Sequence, residues 1–265
     1  MVSRQKEQCV RPIHTLAYAA IHLLETNPQL PLLHNERSAP LNDTRAPNHG
    51  RYGGILALRA VVFDYGMVLT GPPEPTAHAA LLRITGLDAG RLDSIYWTER
   101  RAYDEGKLTG LEFWRKVTCE AGLSLSASAI EELTEWDARM WMTENPAMLA
   151  WQLAVKQRGL LTAIVSNMGD TVHERMQHEL DWLSRFDVLV WSYQLRVTKP
   201  ANAIYHYVLE KLGTRPEETL FVDDRPMNVE AAKALGMQGV IFTTVEKLRE
   251  KLIAWRLDSE LPLPG

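Results

Sequence analysis

Residues 57–70 read ALRAVVFDYGMVLT, an apolar run that stops at the carboxylate of Asp64. Short runs rich in β-branched and aromatic residues are typical of strands that are buried on both faces of a parallel sheet. We therefore predict a buried strand over residues 57–63. Ligands bind at the carboxyl ends of the strands in open parallel sheets, so Asp64 lies where chemistry is expected.

Four later stretches have the same apolar character, at residues 160–165, 187–191, 219–222 and 239–242. Helix-like segments follow them at residues 171–180, 202–211, 228–235 and 245–254. Strands that alternate with helices predict an α/β fold built on a doubly wound parallel sheet.

Residues 73–145 differ from the rest, because no convincing strand occurs there. The pattern predicts four helices, over residues 75–84, 89–103, 111–121 and 127–140. A helical insertion after the first strand is a candidate cap over the carboxyl ends of the strands. The predicted organisation is a core of residues 55–72 and 146–245, a cap of residues 73–145, and a C-terminal helix and tail of residues 246–265.

The N-terminal segment has its own composition. Its first 52 residues carry a charge of +2, whereas the whole chain carries −4, so the remainder carries −6. Prolines at positions 28, 31, 40 and 47 are typical of loop or disordered chain. We predict that residues 1–54 form an extension that is disordered or partly helical.

Composition excludes several classes of protein. The 265 residues show no global basic excess that would indicate binding to nucleic acid or to an acidic membrane surface. No apolar run approaches the roughly 18 residues that a membrane span needs. Two cysteines argue against a disulfide scaffold or a cysteine-rich zinc site. We expect a cytoplasmic monomer or homodimer without nucleic-acid or membrane partners.

Three further motifs stand near the ends of the later strands. Ser166-Asn167 follows the second strand, Lys199-Pro200 precedes a helix, and Asp223-Asp224 follows the fourth strand. Each motif is a weak signal alone, but with Asp64 they form an ordered set. Parallel strands bring their carboxyl ends to one edge of the sheet, so these residues are expected to meet.

This ordered set resembles the motifs of the haloacid dehalogenase-like hydrolase superfamily, most of whose members are magnesium-dependent phosphatases. The resemblance covers about residues 58–242. The four motifs together with Asn228 are similar to those of the alpha-D-glucose-1-phosphate phosphatases and of the phosphatase domain of soluble epoxide hydrolases. The resemblance implies a Rossmann-like core with a helical cap, and a small phosphorylated metabolite as substrate, with a sugar phosphate as the first expectation.

The resemblance also implies catalytic and binding roles. Asp64 would attack phosphorus and form an aspartyl-phosphate, which divides one difficult step into two. Ser166 and the backbone N–H of Asn167 would bind phosphoryl oxygens. Lys199 would neutralise charge on the nucleophile and on the phosphoryl group as the transition state forms.

A magnesium site is implied as well. Asp64, Asp224 and the backbone carbonyl of Gly66 would be its protein ligands, since Mg²⁺ prefers oxygen donors. Two carboxylates that are forced together without a cation raise each other's pKa, and a bound metal relieves that repulsion. We expect Asp223 to orient a metal-bound water or to hold Lys199.

One position departs from the family pattern. Most phosphatases of the superfamily have a second Asp two residues after the nucleophile, as general acid and base, but here that position is Gly66 and the next is Met67. A positioned general acid or base raises the reaction rate by about 10²–10⁴-fold. Members that resemble the glucose-1-phosphate phosphatases also have Gly there. Two alternatives stay open, an inert phosphate-binding relative and a metal-free haloacid dehalogenase, although Asp223-Asp224 argues against the second.

The cap is expected to select the substrate. Its second helix carries Tyr96, Trp97, Arg100 and Arg101. Arg100 is our candidate for a substrate-binding residue, because guanidinium groups suit phosphate and carboxylate. The later aromatic residues Trp136, Trp141 and Trp151 are interpreted as packing residues.

Overall fold

A computed structural model describes residues 57–265, so the predicted extension over residues 1–54 lies outside the described residues. Five strands form one parallel sheet in the order β3-β2-β1-β4-β5. They are β1 (Ala60–Phe63), β2 (Leu161–Ser166), β3 (Val188–Trp191), β4 (Thr219–Asp223) and β5 (Gln238–Ile241). The predicted α/β architecture is confirmed.

The first strand begins three residues later than predicted. Leu58, which precedes it, donates its backbone N–H to the Glu260 carboxylate at 2.8 Å instead of joining a strand ladder. Arg59 already forms backbone hydrogen bonds with Glu218 and Leu161, and the paired strand residues begin at Ala60.

Ten α-helices surround the sheet and form the insertion within residues 57–265. The insertion contains α1 (Pro75–Thr85), α2 (Ala89–Asp104), α3 (Gly110–Glu120) and α4 (Ala127–Met140). The core contains α5 (Pro146–Gln157), α6 (Asp170–Glu179), α7 (Ser192–Leu195), α8 (Asn202–Leu212), α9 (Pro226–Ala234) and α10 (Val245–Ala254). The sequence prediction assigned neither α5 nor the short α7. No helix of the described region is long and apolar enough to cross a bilayer.

The sheet is covered on both faces, which explains the continuous apolar character of its strands. Val61 and Phe63 of β1 pack in one buried cluster, where Trp151 lies edge-on to the Phe63 ring at 5.5 Å. Ala60 and Val62 belong to a second cluster on the opposite face. The central position of β1 brings Asp64, the next residue, to the middle of the carboxyl edge.

The cap has a hydrophobic core of its own. Leu81, Phe113, Trp114 and Leu133 are buried in a cluster separate from the two that cover the sheet. Its third helix begins with a capping box, in which Thr109 and the side chain of Glu112 satisfy each other's backbone N–H groups. The insertion is therefore a folded unit with its own packing.

Cap and core meet closely at the end of α2. The Ser192 hydroxyl donates to the backbone carbonyl of Asp104 at 2.6 Å. Gly106 follows with φ +64, and a Cβ added there would clash with the backbone carbonyl of Tyr193. Glycine is required here by both the left-handed backbone and the close approach.

Gly106→Ala is therefore expected to destabilise the protein, measured by urea denaturation. Gly122→Ala is the matched control, because Gly122 also has a positive φ, +76, but has nothing within 4 Å of its added Cβ. In the control, the free energy of unfolding should fall by about 1–2 kcal/mol because of backbone strain alone. Gly106→Ala should lose roughly 1–3 kcal/mol more because of the clash. Equal losses would show that the cap does not press on the core at this point.

Candidate active site

Asp64 lies at the centre of the carboxyl edge of the sheet. Its backbone N–H donates to the carbonyl of Val222 on β4 at 2.8 Å, and its Oδ1 accepts the N–H of Tyr65 at 2.6 Å. Only 7% of the residue is exposed. The carboxylate therefore has a fixed position at the end of β1.

A tight turn, Tyr65–Leu69, follows the nucleophile candidate. Gly66 has φ −63 and ψ 135, an ordinary extended conformation, whereas Met67 has φ +60 and lies in the left-handed region. The Thr70 hydroxyl accepts the N–H of Met67 at 3.2 Å and holds the turn. Asn145 donates its amide to the Val68 carbonyl at 3.0 Å, so the chain enters and leaves the cap beside Asp64.

Lys199 joins two carboxylates from different strands. Its Nζ lies 2.9 Å from Asp64 Oδ1 and 2.6 Å from Asp223 Oδ2, and only 1% of the side chain is exposed. The expectation that Asp223 holds Lys199 agrees with this contact. A buried ammonium is stabilised by such close carboxylates, which in turn would be strongly destabilised without it.

Two asparagines hold this ion cluster in place. The Asn167 side chain donates to the carbonyl of Lys199 at 2.9 Å and accepts its backbone N–H at 2.8 Å. The Asn228 amide donates to both Asp223 oxygens, at 3.0 and 3.1 Å. Sequence reasoning assigned neither side-chain role, although both residues stood in the quoted motifs.

Burial raises the pKa of Asp64 to about 8, although the Lys199 ammonium opposes the rise and the Asp223 carboxylate adds to it. Burial also raises the pKa of Asp224 from its ordinary value, again with a contribution from Asp223. Asp64 and Asp224 therefore hold protons more tightly here than in water.

The same carboxylates fit a hard divalent cation. One oxygen from each of Asp64, Asp223 and Asp224 lies within 4.8 Å of the others. All three donors are carboxylate oxygens, and this chemistry suits Mg²⁺ better than a softer metal. The role of the Gly66 carbonyl as a further ligand stays a prediction.

A cavity of about 300 Å³ opens in front of Asp64. Seven of the eight predicted site residues line it: Asp64, Gly66, Arg100, Ser166, Asn167, Lys199 and Asp224. Asp223 lies behind them and is fully buried. The Ser166 hydroxyl forms no hydrogen bond with any residue of the described chain, so it is available to a ligand in the cavity.

Cap side chains close the cavity. Trp97 is half exposed and lies edge-on to Trp141 at 6.4 Å, and both line the cavity. Trp141 packs against the hydrophobic clusters of both sheet and cap, as interpreted from the sequence, and it also lines the cavity, which the sequence did not indicate. Helical spacing predicts which face of a helix is apolar, but Trp141 follows the last residue of α4, where that spacing gives no direction.

Arg100 reaches the same cavity but is engaged by the cap. Its Nε donates to Asp104 Oδ1 at 2.8 Å, its Nη1 donates to the Tyr96 hydroxyl, and Asp137 Oδ1 lies 3.8 Å away. The guanidinium is thereby oriented at the cavity wall. Its role in binding substrate stays a prediction.

Comparisons with known proteins agree with this arrangement. A family model described as haloacid dehalogenase-like hydrolase matches residues 129–236. Bifunctional epoxide hydrolase 2 of Mus musculus is 28% identical over 227 residues, which cover 79% of this chain and 41% of that protein. The D-ribitol-5-phosphate phosphatase of Bacteroides thetaiotaomicron is 26% identical over 203 residues, 68% of this chain and 90% of that one.

The chain spans less than half the length of the mammalian epoxide hydrolases that it matches. A dehalogenase is also similar, since (S)-2-haloacid dehalogenase 1 of Pseudomonas sp. is 25% identical over 73% of this chain and 88% of that one. A crystal structure of a HAD family enzyme from Bacteroides thetaiotaomicron, in complex with magnesium and inorganic phosphate, gives a TM-score of 0.57 at 21% identity, over 71% of this chain and 95% of that one.

Lys199→Met is expected to destabilise the metal-free protein by about 3–5 kcal/mol in urea denaturation, because it leaves buried carboxylates without their cation. The double variant Asp64→Asn, Lys199→Met is the control. Its loss in the free energy of unfolding should be smaller than the sum of the losses of the two single variants, by about 1–3 kcal/mol, because one of the carboxylates is then neutral. Additive losses would mean that Lys199 does not stabilise Asp64.

Proposed function

This chain belongs to the haloacid dehalogenase-like hydrolase superfamily, and on that premise we propose that it is a magnesium-dependent phosphatase. Its substrate is a small phosphorylated metabolite, and the reaction passes through an aspartyl-phosphate on Asp64. The observation that carries the proposal is the cavity in which the Asp64 carboxylate, the Lys199 ammonium and the free Ser166 hydroxyl face one ligand space beside Asp224.

In the first step an Asp64 oxygen attacks phosphorus, and the bond from phosphorus to the ester oxygen breaks with its electron pair on that oxygen. The Ser166 hydroxyl donates a hydrogen bond to a phosphoryl oxygen, and Lys199 offsets the negative charge that develops. In the second step water attacks phosphorus and releases the Asp64 carboxylate together with inorganic phosphate.

Asp64, Asp224 and the Gly66 carbonyl would hold Mg²⁺, with Asp223 behind them. When bound, the ion supplies positive charge to the phosphoryl oxygens and to the crowded carboxylates. The raised pKa of Asp64 supports this assignment, because a nucleophilic carboxylate must be ionised and a nearby cation lowers its pKa.

The site lacks a carboxylate at the usual position of the general acid. Gly66 supplies no side chain, so the departing oxygen takes its proton from water or from the substrate itself. Phosphate esters with weakly basic leaving groups should therefore react faster than alkyl esters, since they need no proton in the transition state.

A direct test assays the purified protein against a panel of phosphate esters, with Mg²⁺ and with a chelator. The wild type should release phosphate in the presence of Mg²⁺, and both chelation and Asp64→Asn should lower the rate by at least about 10³. Circular dichroism shows whether Asp64→Asn is folded. No turnover above the Asp64→Asn control would favour the inert phosphate-binding alternative, and halide release from 2-haloacids without metal would favour the dehalogenase.

A second test restores the missing carboxyl group. Gly66 has a backbone conformation open to any residue, and an added Cβ would meet only Trp141, at 4.0 Å. Gly66→Asp is therefore expected to raise kcat/KM for an alkyl ester such as glycerol 3-phosphate by about 10–100-fold, below the full value of an evolved general acid. Turnover of p-nitrophenyl phosphate should change by less than about 3-fold, because its leaving group needs no proton.

Gly66→Asn is the matched control for that test, since it has the same size but no acidic proton. It should leave the preference between the two esters as in the wild type. An equal rise with Asn and Asp would show that the space at residue 66, and not proton donation, limits the reaction.

A further inference from the structure

A second cavity of about 880 Å³ adjoins the candidate active site, and we call it the outer cleft. The two cavities share lining residues from both cap and core: Trp97, Arg100, Asp104, Asn167, Lys199 and Arg225. The rest of the outer cleft is formed mainly by the end of α2 and by residues 196–201. A ligand held at Asp64 can therefore extend directly into the outer cleft.

The outer cleft is basic within an acidic protein. Six cationic residues line it, together with two acidic ones, Asp104 and Glu105. The part of the chain after residue 52 carries a net charge of −6, so the charge of the cleft is opposite in sign to that of the protein around it. A concave surface with an excess of one charge concentrates ligands of the opposite charge.

Four of these cations already have partners. Arg100 pairs with Asp104 at 2.8 Å, Arg101 and Lys107 both pair with Glu105, at 2.8 and 2.5 Å, and Lys199 pairs with Asp64 and Asp223. Arg196 and Arg225 form no ion pair with any residue between 57 and 265. Arg225 acts on the Asp104 and Asp224 carboxylates only beyond ion-pair distance, so neither guanidinium is held by a direct contact with a carboxylate of the described residues.

Arg196 also has an unusual backbone. It has φ +56 and ψ +28 and follows the last residue of α7, a position where glycine is favoured. A non-glycine residue in the left-handed region is strained, and strain of this kind in a residue that lines a cleft makes its side chain a candidate for a function. The Arg196 side chain is exposed at the outer cleft.

Two apolar side chains lie on the same surface. Trp97 is 51% exposed and Met227 is 60% exposed, and both line the outer cleft. Trp97 also lines the cavity at Asp64, so its ring is placed to contact the organic part of a ligand that spans both spaces.

We propose that Arg196 and Arg225 form a subsite for a second anionic group, so that the substrate is a phosphate monoester that also carries another phosphate or a carboxylate. This inference rests on the proposed phosphatase function, because it assumes that the first phosphate lies at Asp64. Guanidinium groups bind phosphate and carboxylate with paired N–H donors. A ligand with a second phosphate or a carboxylate beyond the phosphate at Asp64 therefore suits this subsite.

The test uses matched ligands that differ only in the second anionic group. Fructose 1,6-bisphosphate is compared with fructose 6-phosphate, and 3-phosphoglycerate with glycerol 3-phosphate. Affinities are measured by calorimetry on full-length Asp64→Asn protein in Mg²⁺, so that binding does not depend on turnover. At least one doubly anionic ligand should bind about 10-fold or more tightly than its partner.

When Arg196→Gly and Arg225→Gln are added to the Asp64→Asn protein, the affinity ratio between the ligands of a pair should fall to less than about 3-fold. Glycine suits the backbone at position 196, and the backbone N–H of Arg225 still donates to Asp223, so folding is preserved. Arg158→Ala is the control, because this exposed arginine precedes β2 at the opposite edge of the sheet. It should leave the preference unchanged.

Two results would overturn the inference. In the first, no ligand with a second anionic group binds more tightly than its partner. In the second, Arg158→Ala removes the difference in affinity as fully as Arg196→Gly and Arg225→Gln together. Kinetics of the wild type separate this failure from failure of the proposed function. If simple esters are hydrolysed but the second anionic group brings no gain, the subsite is absent and the phosphatase remains. If doubly anionic ligands bind but no ester is hydrolysed, the subsite remains and the phosphatase proposal is lost.

Discussion

The site depends on one buried cation, the ammonium of Lys199, placed between Asp64 and Asp223. Burying a charge costs free energy unless the charge is paired and hydrogen-bonded. Removing any one of these three groups would therefore destabilise the folded protein. They come from the end of β1, the segment before α8 and the end of β4. Because β1 pairs directly with β4, the two carboxylates are neighbours, and Lys199 holds the loop that carries Ser166-Asn167 through the Asn167 side chain.

In the proposed mechanism, this cluster places a metal ion and the nucleophile Asp64 side by side. Burial raises the pKa of Asp64, and the neighbouring Asp223 and Asp224 carboxylates add to the rise, so a further cation at this place is favoured. In the proposed phosphoryl transfer, Gly66 offers no side chain as a proton donor at the usual place, so the reaction would rely on charge and on the position of the reacting groups. The proposed chemistry therefore depends more on electrostatics than on acid–base groups.

The cap turns this edge of the sheet into an enclosed site. Gly106 lets α2 approach the core closely, and the Ser192 hydroxyl holds the end of that helix. Arg100, fixed by Asp104 and Tyr96, lines both the candidate active site and the outer cleft. In the outer cleft the surface is positive and partly apolar, in contrast to the acidic body of the protein. The cap thus contributes both the enclosure and the boundary of the ligand space.

The amino-acid pattern predicted the five parallel strands, the helical insertion and the edge at which the ordered motifs meet. Local periodicity and turn residues suffice for this, since a parallel sheet always gathers its carboxyl ends. Tertiary structure alone decided that Asn167 holds Lys199 with its side chain, that Trp141 lines the cavity, and that Arg100 is engaged within the cap. It also decided that Arg196 and Arg225 share one cleft. These contacts join residues that are remote in the chain, and no local pattern sets the distance at which cap and core pack.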